Sequence, residues 1–382
     1  GPANARCVPR GGSRRTGPFR VETPCAGGAA VRPGASTCGR CHETEQSLPP
    51  NALNRLAARE VLLRCAQDPL ALHGLPAARP GAPQETGLAM SPAPALAPRP
   101  SAQQLREARH QLLDTGAVTA GLIDPALQAS WQRSRAFGLV PRGRMPGMPH
   151  ASAAQLARAL EHRHALVSQA RPVMEFLSEQ IRGTDSIVFL ADSQGMLLCA
   201  LGDDGFAERA ARVALRPGAI WHEQWRGTNA IGTALVEEAA VVVHGAEHYL
   251  ERNSFLTCAA SPIVDPAGQT IGVLDISGDR RSHHRHTLGL VRSGARMIEH
   301  QLFEARYGGG LQLRLHTRPE GIGSVTEGLL AVSEDGWLVG ANAAALAMLG
   351  LPRGMIGAVT AERVLGIDLA GLLAASGRTL RL

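Results

Sequence analysis

Five acid–base side chains crowd one stretch of this chain: His222, Glu223, His244, Glu247 and His248. His244 and His248 stand four apart, which on a helix would present two imidazoles to one metal. The order argues against it. The motif reads HGAEH rather than HExxH, it contains Gly245, and it follows a β-branched run that reads as a strand. The run Ser282-His283-His284-Arg285-His286 reads as a polar surface turn. Cys38-Gly39-Arg40-Cys41-His42 has the CxxCH form that attaches c-type haem, but no secretory signal, surrounding helical domain or distal ligand accompanies it. No metal and no cofactor is expected. Ser130, Ser134 and Ser261 lie in no GxSxG elbow. All 39 basic residues are Arg, so a Walker A loop has no lysine with which to reach nucleotide phosphates. The expectation is a protein that is not an enzyme. The enzymatic alternative is a thiol reductase using Cys199 and Cys258, which requires both sulfurs within disulfide reach; otherwise Cys258 reads as a small apolar residue of a strand.

The chemistry that remains is binding. Trp221, His222, Trp225, Asn229, Thr233, His244 and Cys258 each supply a ring wall or a hydrogen-bond group near the end of a predicted element, as a small-molecule pocket requires. For each of them ordinary packing is an equal reading, and Asn229 reads equally as a helix cap. The elements that must position them run from Trp221 to Asp279. Gly227-Thr228-Asn229 opens an apolar helical run in which Thr228 or Asn229 caps. Ala239–His244 is a buried strand ending at Gly245, and Cys258–Val264 and Thr270–Ile276 form a hairpin across Asp265-Pro266-Ala267-Gly268. A helix against an antiparallel sheet follows.

Composition divides the chain. Residues 1–100 hold 12 Arg against 6 acids and 15 of the 25 prolines, whereas residues 101–382 hold 27 of each charge. The patterned part is balanced and suggests no nucleic-acid-binding face. Residues 1–100 cannot bury enough apolar surface to fold; at most Asn51–Ala66 forms a short helix, and Met90 marks the expected natural start, with mistranslated or fused sequence before it. The seven cysteines, only two of them beyond residue 100, argue against a disulfide framework. No apolar run approaches the roughly 18 residues of a membrane span, and a cytoplasmic protein is expected.

The words GTNAIGTAL, VHGAEHYL, CAASPIVDPAG and GVLDISGD resemble the GAF sensor domain of sigma-54-dependent activators of the acetoin-catabolism type. Ser130, Trp131, Arg133, Ser134, Gly138 and Leu139 match the SWxRSxxxGL that precedes that domain; Trp131 itself reads as a core anchor. From Val325, strand, Glu334-Asp335-Gly336 turn, strand and GANxAA resemble the opening of a PAS domain. The resemblance implies an α+β fold: an antiparallel sheet flanked by helices (the GAF domain, 183–306), a helical lead-in (101–182), a linker (307–323) and the start of a PAS domain (324–382), within which the chain is expected to stop. It implies sensing of a small effector: acetoin-like, another alcohol or ketone, or an aromatic. Cyclic nucleotides, which some GAF domains bind, would want positive charge, and only Arg226 and Arg252 are near in sequence. In the resembled activators an AAA+ ATPase and a Fis-type helix-turn-helix act on sigma-54 RNA polymerase and DNA, so those partners would be reached through other domains. A homodimer or higher oligomer is implied, and the 3-4-3-4-3 seam Leu288, Val291, Ala295, Ile298, Leu302 and Ala305 is the best dimer helix, unless it packs under its own sheet. A structural dimerisation module without ligand is a further alternative.

Overall fold

The computed structural model describes residues 62–66, 100–143, 149–282, 284–376 and 379–381; the CxxCH motif and Met90 lie outside them. Leu62–Ala66 is a strand, β1, where the local pattern suggests a helix. So short an apolar run cannot distinguish the two, and pairing with strands far along the chain decides it.

The lead-in is helical. Helix α1 (Ala102–Thr115) starts in a capping box between Ser101 and Gln104 and stops at left-handed Gly116. Helix α2 (Pro125–Ala136) starts with Asp124 capping and Pro at its first position. Ala151–Arg182, which reads as a long helical stretch with Arg163 interrupting its apolar seam and Pro172 bending or restarting it, is two helices, α3 (Ala153–His162) and α4 (His164–Gln180), which meet at Arg163. The break falls there and α4 continues through Pro172.

Strands β2 (Ser186–Asp192) and β3 (Leu197–Gly202) form a hairpin, held by Asp192, whose Oδ1 accepts from the N–H groups of Gln194 and Met196, both at 2.9 Å. Helices α5 (Asp204–Ala211), α6 (Glu223–Arg226) and α7 (Ala230–Glu237) follow. Strands β4 (Val241–His244), β5 (Leu256–Val264) and β6 (Thr270–Asp279) complete a five-stranded sheet of order β3-β2-β6-β5-β4, antiparallel throughout. Helix α8 (Thr287–Tyr307) leads out of it.

The sheet is buried on both faces. One face packs on α4 and α8 through Leu177, Leu190, Leu274, Ala295 and Ile298. The seam of α8 from Val291 to Leu302 is thus covered by its own sheet, while Ala305 at its end is exposed. The opposite face packs under the lead-in helices and α5 to α7, through Trp131, Phe189, Phe206, Ala230 and Val273.

The stretch expected to be a linker contains β7 (Leu311–His316). Strands β8 (Gly328–Val332) and β9 (Leu338–Ala341), helices α9 (Ala343–Leu349), α10 (Ala361–Leu365) and α11 (Leu369–Ala374), and β10 (Thr379–Arg381) follow. They build a second antiparallel sheet, β10-β1-β7-β8-β9, over its own core. The described chain is α+β throughout.

Helix α8 approaches closely at Gly294, where a Cβ would come within 2.7 Å of Leu177 Cδ1 and 2.9 Å of Leu274 Cδ2. Gly294→Val should therefore destabilise the protein by about 1–3 kcal/mol through overpacking, read as a lower urea midpoint at unchanged slope.

Candidate functional site

The segment from Trp221 to Glu237 is locked in place before any ligand is considered. Asn229 caps α7: its Oδ1 accepts from Gly232 N–H at 2.9 Å, and its Nδ2 donates to Gly227 O at 2.8 Å. Both ends of the amide are thereby used. Gly232 allows α7 to lie against the preceding turn, since a Cβ there would meet Trp221 O at 2.7 Å. At the centre is Glu223, whose side chain has no exposure. Its carboxylate accepts from Ser130 Oγ at 2.6 Å and Thr233 Oγ1 at 2.8 Å, and from Arg133 Nε and Nη2 at 2.6 and 3.0 Å. Thr228 and Ser134 extend the network. Hydrogen bonding to Glu223 raises the Arg133 pKa further. Helix α2 is thus bonded to α6 and α7.

A second set of polar groups lies on the inner face of the sheet, between β5, β6 and the loop from Gly245 to Asn253. Asp275 and Ser277 alternate with Leu274 and Ile276, so they share a face with Val273, opposite Ala260 and Cys258 of β5. Ser277 Oγ donates to Asp275 Oδ2 at 2.6 Å, while Asp275 Oδ1 is buried with no hydrogen-bond partner among the described residues. Burial raises the Asp275 pKa to about 7 against this hydrogen bond. His248 is wholly buried, and its Nδ1 donates to Gly245 O at 3.0 Å. Burial lowers its pKa to about 4, leaving Nε2 to accept from the Cys258 thiol at 3.6 Å. Burial, and then Asp275, push the Cys258 thiol up. Between about pH 4 and about pH 7 this cluster is neutral. Asn253, 1% exposed, has neither side-chain amide atom partnered among the described residues. Unmatched polar groups in an apolar interior are costly.

The seven residues singled out in the sequence divide on this map. Trp221, Asn229 and Thr233 are buried framework: Trp221 Nε1 donates to Ala214 O at 3.0 Å, and Thr233 binds Glu223. His222 caps α6 through Nδ1, and Trp225 is half-buried beside it. His244 pairs its Nδ1 with Thr257 Oγ1 at 3.1 Å. Only Cys258 joins the inner polar cluster. Glu223, Ser130 and Arg133 were not legible as a network, because they meet from stretches some ninety residues apart. Asp275 did leave a signal, a lone acid inside the apolar run GVLDIS; Asn253 left none. The thiol-reductase geometry is absent: Cys199 packs on the α4–α8 face and Cys258 on the other, three strand spacings (about 14 Å) apart.

Two outcomes test this assignment. Arg133→Ala leaves a buried carboxylate uncompensated and should cost about 3 kcal/mol or more in denaturant unfolding, with Arg133→Lys intermediate. Asp275 in the folded state holds a proton that the unfolded chain releases near pH 4, so its contribution is complete below that pH and is lost as pH rises to about 7. The stability difference between Asp275→Asn and the parent should therefore shift in favour of the variant, by roughly 4 kcal/mol in total, between pH 4 and 8. A pH-independent difference would contradict the assignment.

Residues 100–300, spanning the lead-in helices, the first sheet and most of α8, match the family model described as MimR, N-terminal domain. The chain is 32% identical over 251 residues to an acetoin catabolism regulatory protein of Cupriavidus necator, covering 64% of this chain and 36% of that one. It is 31% identical over 200 residues to the propane 2-monooxygenase operon transcriptional activator MimR of Mycolicibacterium smegmatis, covering 52% and 33%. The crystal structure of the E. coli DhaR(N)–DhaL complex is 18% identical, with a TM-score of 0.46, covering 66% of this chain and 86% of that one. The chain spans about a third of the length of the curated relatives it matches. With more than half of its residues in the match, this chain belongs to the MimR N-terminal domain family, found in transcriptional activators of the MimR and acetoin-regulator type.

Proposed function

We propose that this chain is the effector-sensing region of a sigma-54-dependent transcriptional activator, with the first sheet as a GAF-type sensor and the second as a PAS-type unit. The single observation that carries the sensing role is unmatched buried polarity: Asp275 Oδ1 on the inner face of the first sheet and the Asn253 amide on the loop after β4 have no hydrogen-bond partner among the described residues. A neutral acid beside Ser277 and Cys258 suits a small alcohol, ketone or aromatic, and the names of the relatives, with acetoin catabolism and a propane monooxygenase operon, point the same way. Among the sequence candidates Cys258 is the one proposed to touch ligand, with His222, Trp225 and His244 at the margin and Trp221, Asn229 and Thr233 holding the frame.

ATP hydrolysis and DNA binding belong to other parts of such an activator, and the chain has no lysine for a Walker A loop. Among the described residues no helix is long and apolar enough to cross a membrane, and a cytoplasmic setting is proposed. A homodimer, also proposed, would use a surface other than the buried seam of α8. The effector acts only through different affinities for the inactive and active assemblies.

A thermal-shift screen of the full chain against small alcohols, ketones, aromatics and cyclic nucleotides tests the reading. A compound at 100 times its Kd should add about 2.7 kcal/mol to stability. The gain should disappear in Asn253→Leu, whose unliganded melting point stays level or rises because an unmatched amide is removed. Silence across the panel would favour a structural dimerisation module instead.

A further inference from the structure

At one edge of the first sheet, on its α8 side, a cavity of about 350 Å³ opens where the second sheet's helices meet the first sheet. That volume lies within the range of small-molecule sites, roughly 300–1,000 Å³. Much of its wall is polar. Arg292, Arg296 and Glu299 come from α8 at spacings of four and three, so they share one helix face. Ser261 comes from β5, Glu238 from the end of α7, and Arg353 from the short turn Arg353–Met355 after α9. That turn packs on the β5–β6 hairpin, since a Cβ on Gly268 would lie 3.2 Å from Arg353 Cβ. Six side chains from four stretches of the chain therefore border one space.

The charges in this wall do not balance. Arg353 Nη1 donates to Glu238 Oε2 at 2.8 Å and to Thr270 Oγ1 at 3.3 Å, and this pairing uses the exposed acid of the wall. Among the described residues no carboxylate pairs with Arg292 or Arg296, both of which are exposed on α8. The remaining acid, Glu299, is 8% exposed, and its Oε1 accepts from Val264 N–H at 2.8 Å. Burial raises its pKa to about 7, against that hydrogen bond and the nearby Arg296 and Arg353. Near neutrality it is thus only partly charged and offsets the two arginines only in part. Ser261 is as deeply buried, and its Oγ lies 3.5 Å from Pro262 O, at the outer limit of a hydrogen bond. Its hydroxyl is left to donate across the cavity.

We propose that this cavity binds a small organic anion through a carboxylate or phosphate group held by Arg292 and Arg296, with Ser261 as a further donor. The site is separate from the polar cluster on the inner face, which lies across the sheet. An anion between the two guanidinia accepts charge-assisted hydrogen bonds, the stronger kind, and supplies the negative charge that the wall lacks. Because Arg353 and α9 border the same space as β5 and α8, an occupant stabilises the arrangement in which the two sheets adjoin.

The test uses the full chain in calorimetric and thermal-shift titrations at fixed ionic strength. The ligands are malonate, citrate, inorganic phosphate and glycerol 3-phosphate, with malonamide and glycerol as neutral counterparts. At least one anion should bind and raise the melting point while the neutral compounds do not, and the carboxylate and phosphate arms identify which group is read. Amide hydrogen exchange should slow on binding at residues 238–240 and at Arg353–Met355. Arg292→Gln and Arg296→Gln, surface changes that leave the fold intact, should each weaken that binding by roughly 10- to 100-fold, the equivalent of one lost charge-assisted bond. Arg158→Gln, an exposed arginine of α3 that does not border the cavity, should leave it unchanged. Anion binding that both α8 variants retain, exchange protection confined to other segments, or the absence of any anion binding overturns the site. None of these results touches the inner-face reading, which stands or falls on its own ligand screen and on Asn253→Leu.

Discussion

A carboxylate wholly shielded from water has to be matched by donors on several sides, and the match at Glu223 joins parts of the chain that are far apart in sequence. Ser130 and Arg133 come from α2, Thr233 from α7, and Glu223 itself from the short α6. Removing any partner leaves charge or a hydroxyl stranded in a low-dielectric interior, where each hydrogen bond is stronger and each omission costlier than in water. The lead-in helices are therefore part of the same unit as the first sheet, consistent with a family match that begins at residue 100.

The first sheet treats its two faces differently. The face toward α4 and α8 is an apolar core with one buried acid, Glu299, whose Oε1 accepts from Val264 N–H at 2.8 Å where the β5–β6 register shifts. The other face carries Asp275, Ser277, Cys258 and His248, all buried and several held neutral by desolvation. Such groups contribute less to stability than apolar residues of the same size would. The sheet thus sets a cluster of polar groups on one face against a single buried acid on the other.

Helix α8 connects that sheet to the second one. Its first turns cover β5 and β6, and its last turns carry Phe303 into a core with Leu329 and Ala331 and place Tyr307 OH 2.6 Å from Val339 O. Glu304 and Glu327 hold Arg314 of β7 at 2.7 and 2.6 Å. The hairpin turn after β5 adds a second tie, since Ala341 N–H donates to Pro266 O at 2.9 Å. Two packed sheets sharing one helix and one turn respond together to a shift in either, because close-packed interiors transmit displacement instead of absorbing it.

Much of the fold was legible because the deciding signals are local. Ser101 and Asp124 cap helices where hydroxyl and carboxylate side chains compete for the first free N–H groups, and Asp265-Pro266-Ala267-Gly268 turns because Asp265 Oδ1 can reach the N–H groups of Ala267 and Gln269. Asn229 was legible as a cap, and the structure uses both ends of its amide that way. What sequence could not decide were the outcomes that depend on distant partners. Leu62–Ala66 is a strand because β7 and β10 flank it, and the break in the lead-in falls at Arg163 and not at Pro172. The seam of α8 is the same whether it meets another helix or a sheet, and tertiary packing assigned it to β5 and β6. Burial, which raises the Asp275 pKa to about 7 and leaves Arg226 with no paired carboxylate among the described residues, is a property of the assembled core alone, since desolvation requires every surrounding wall to be in place.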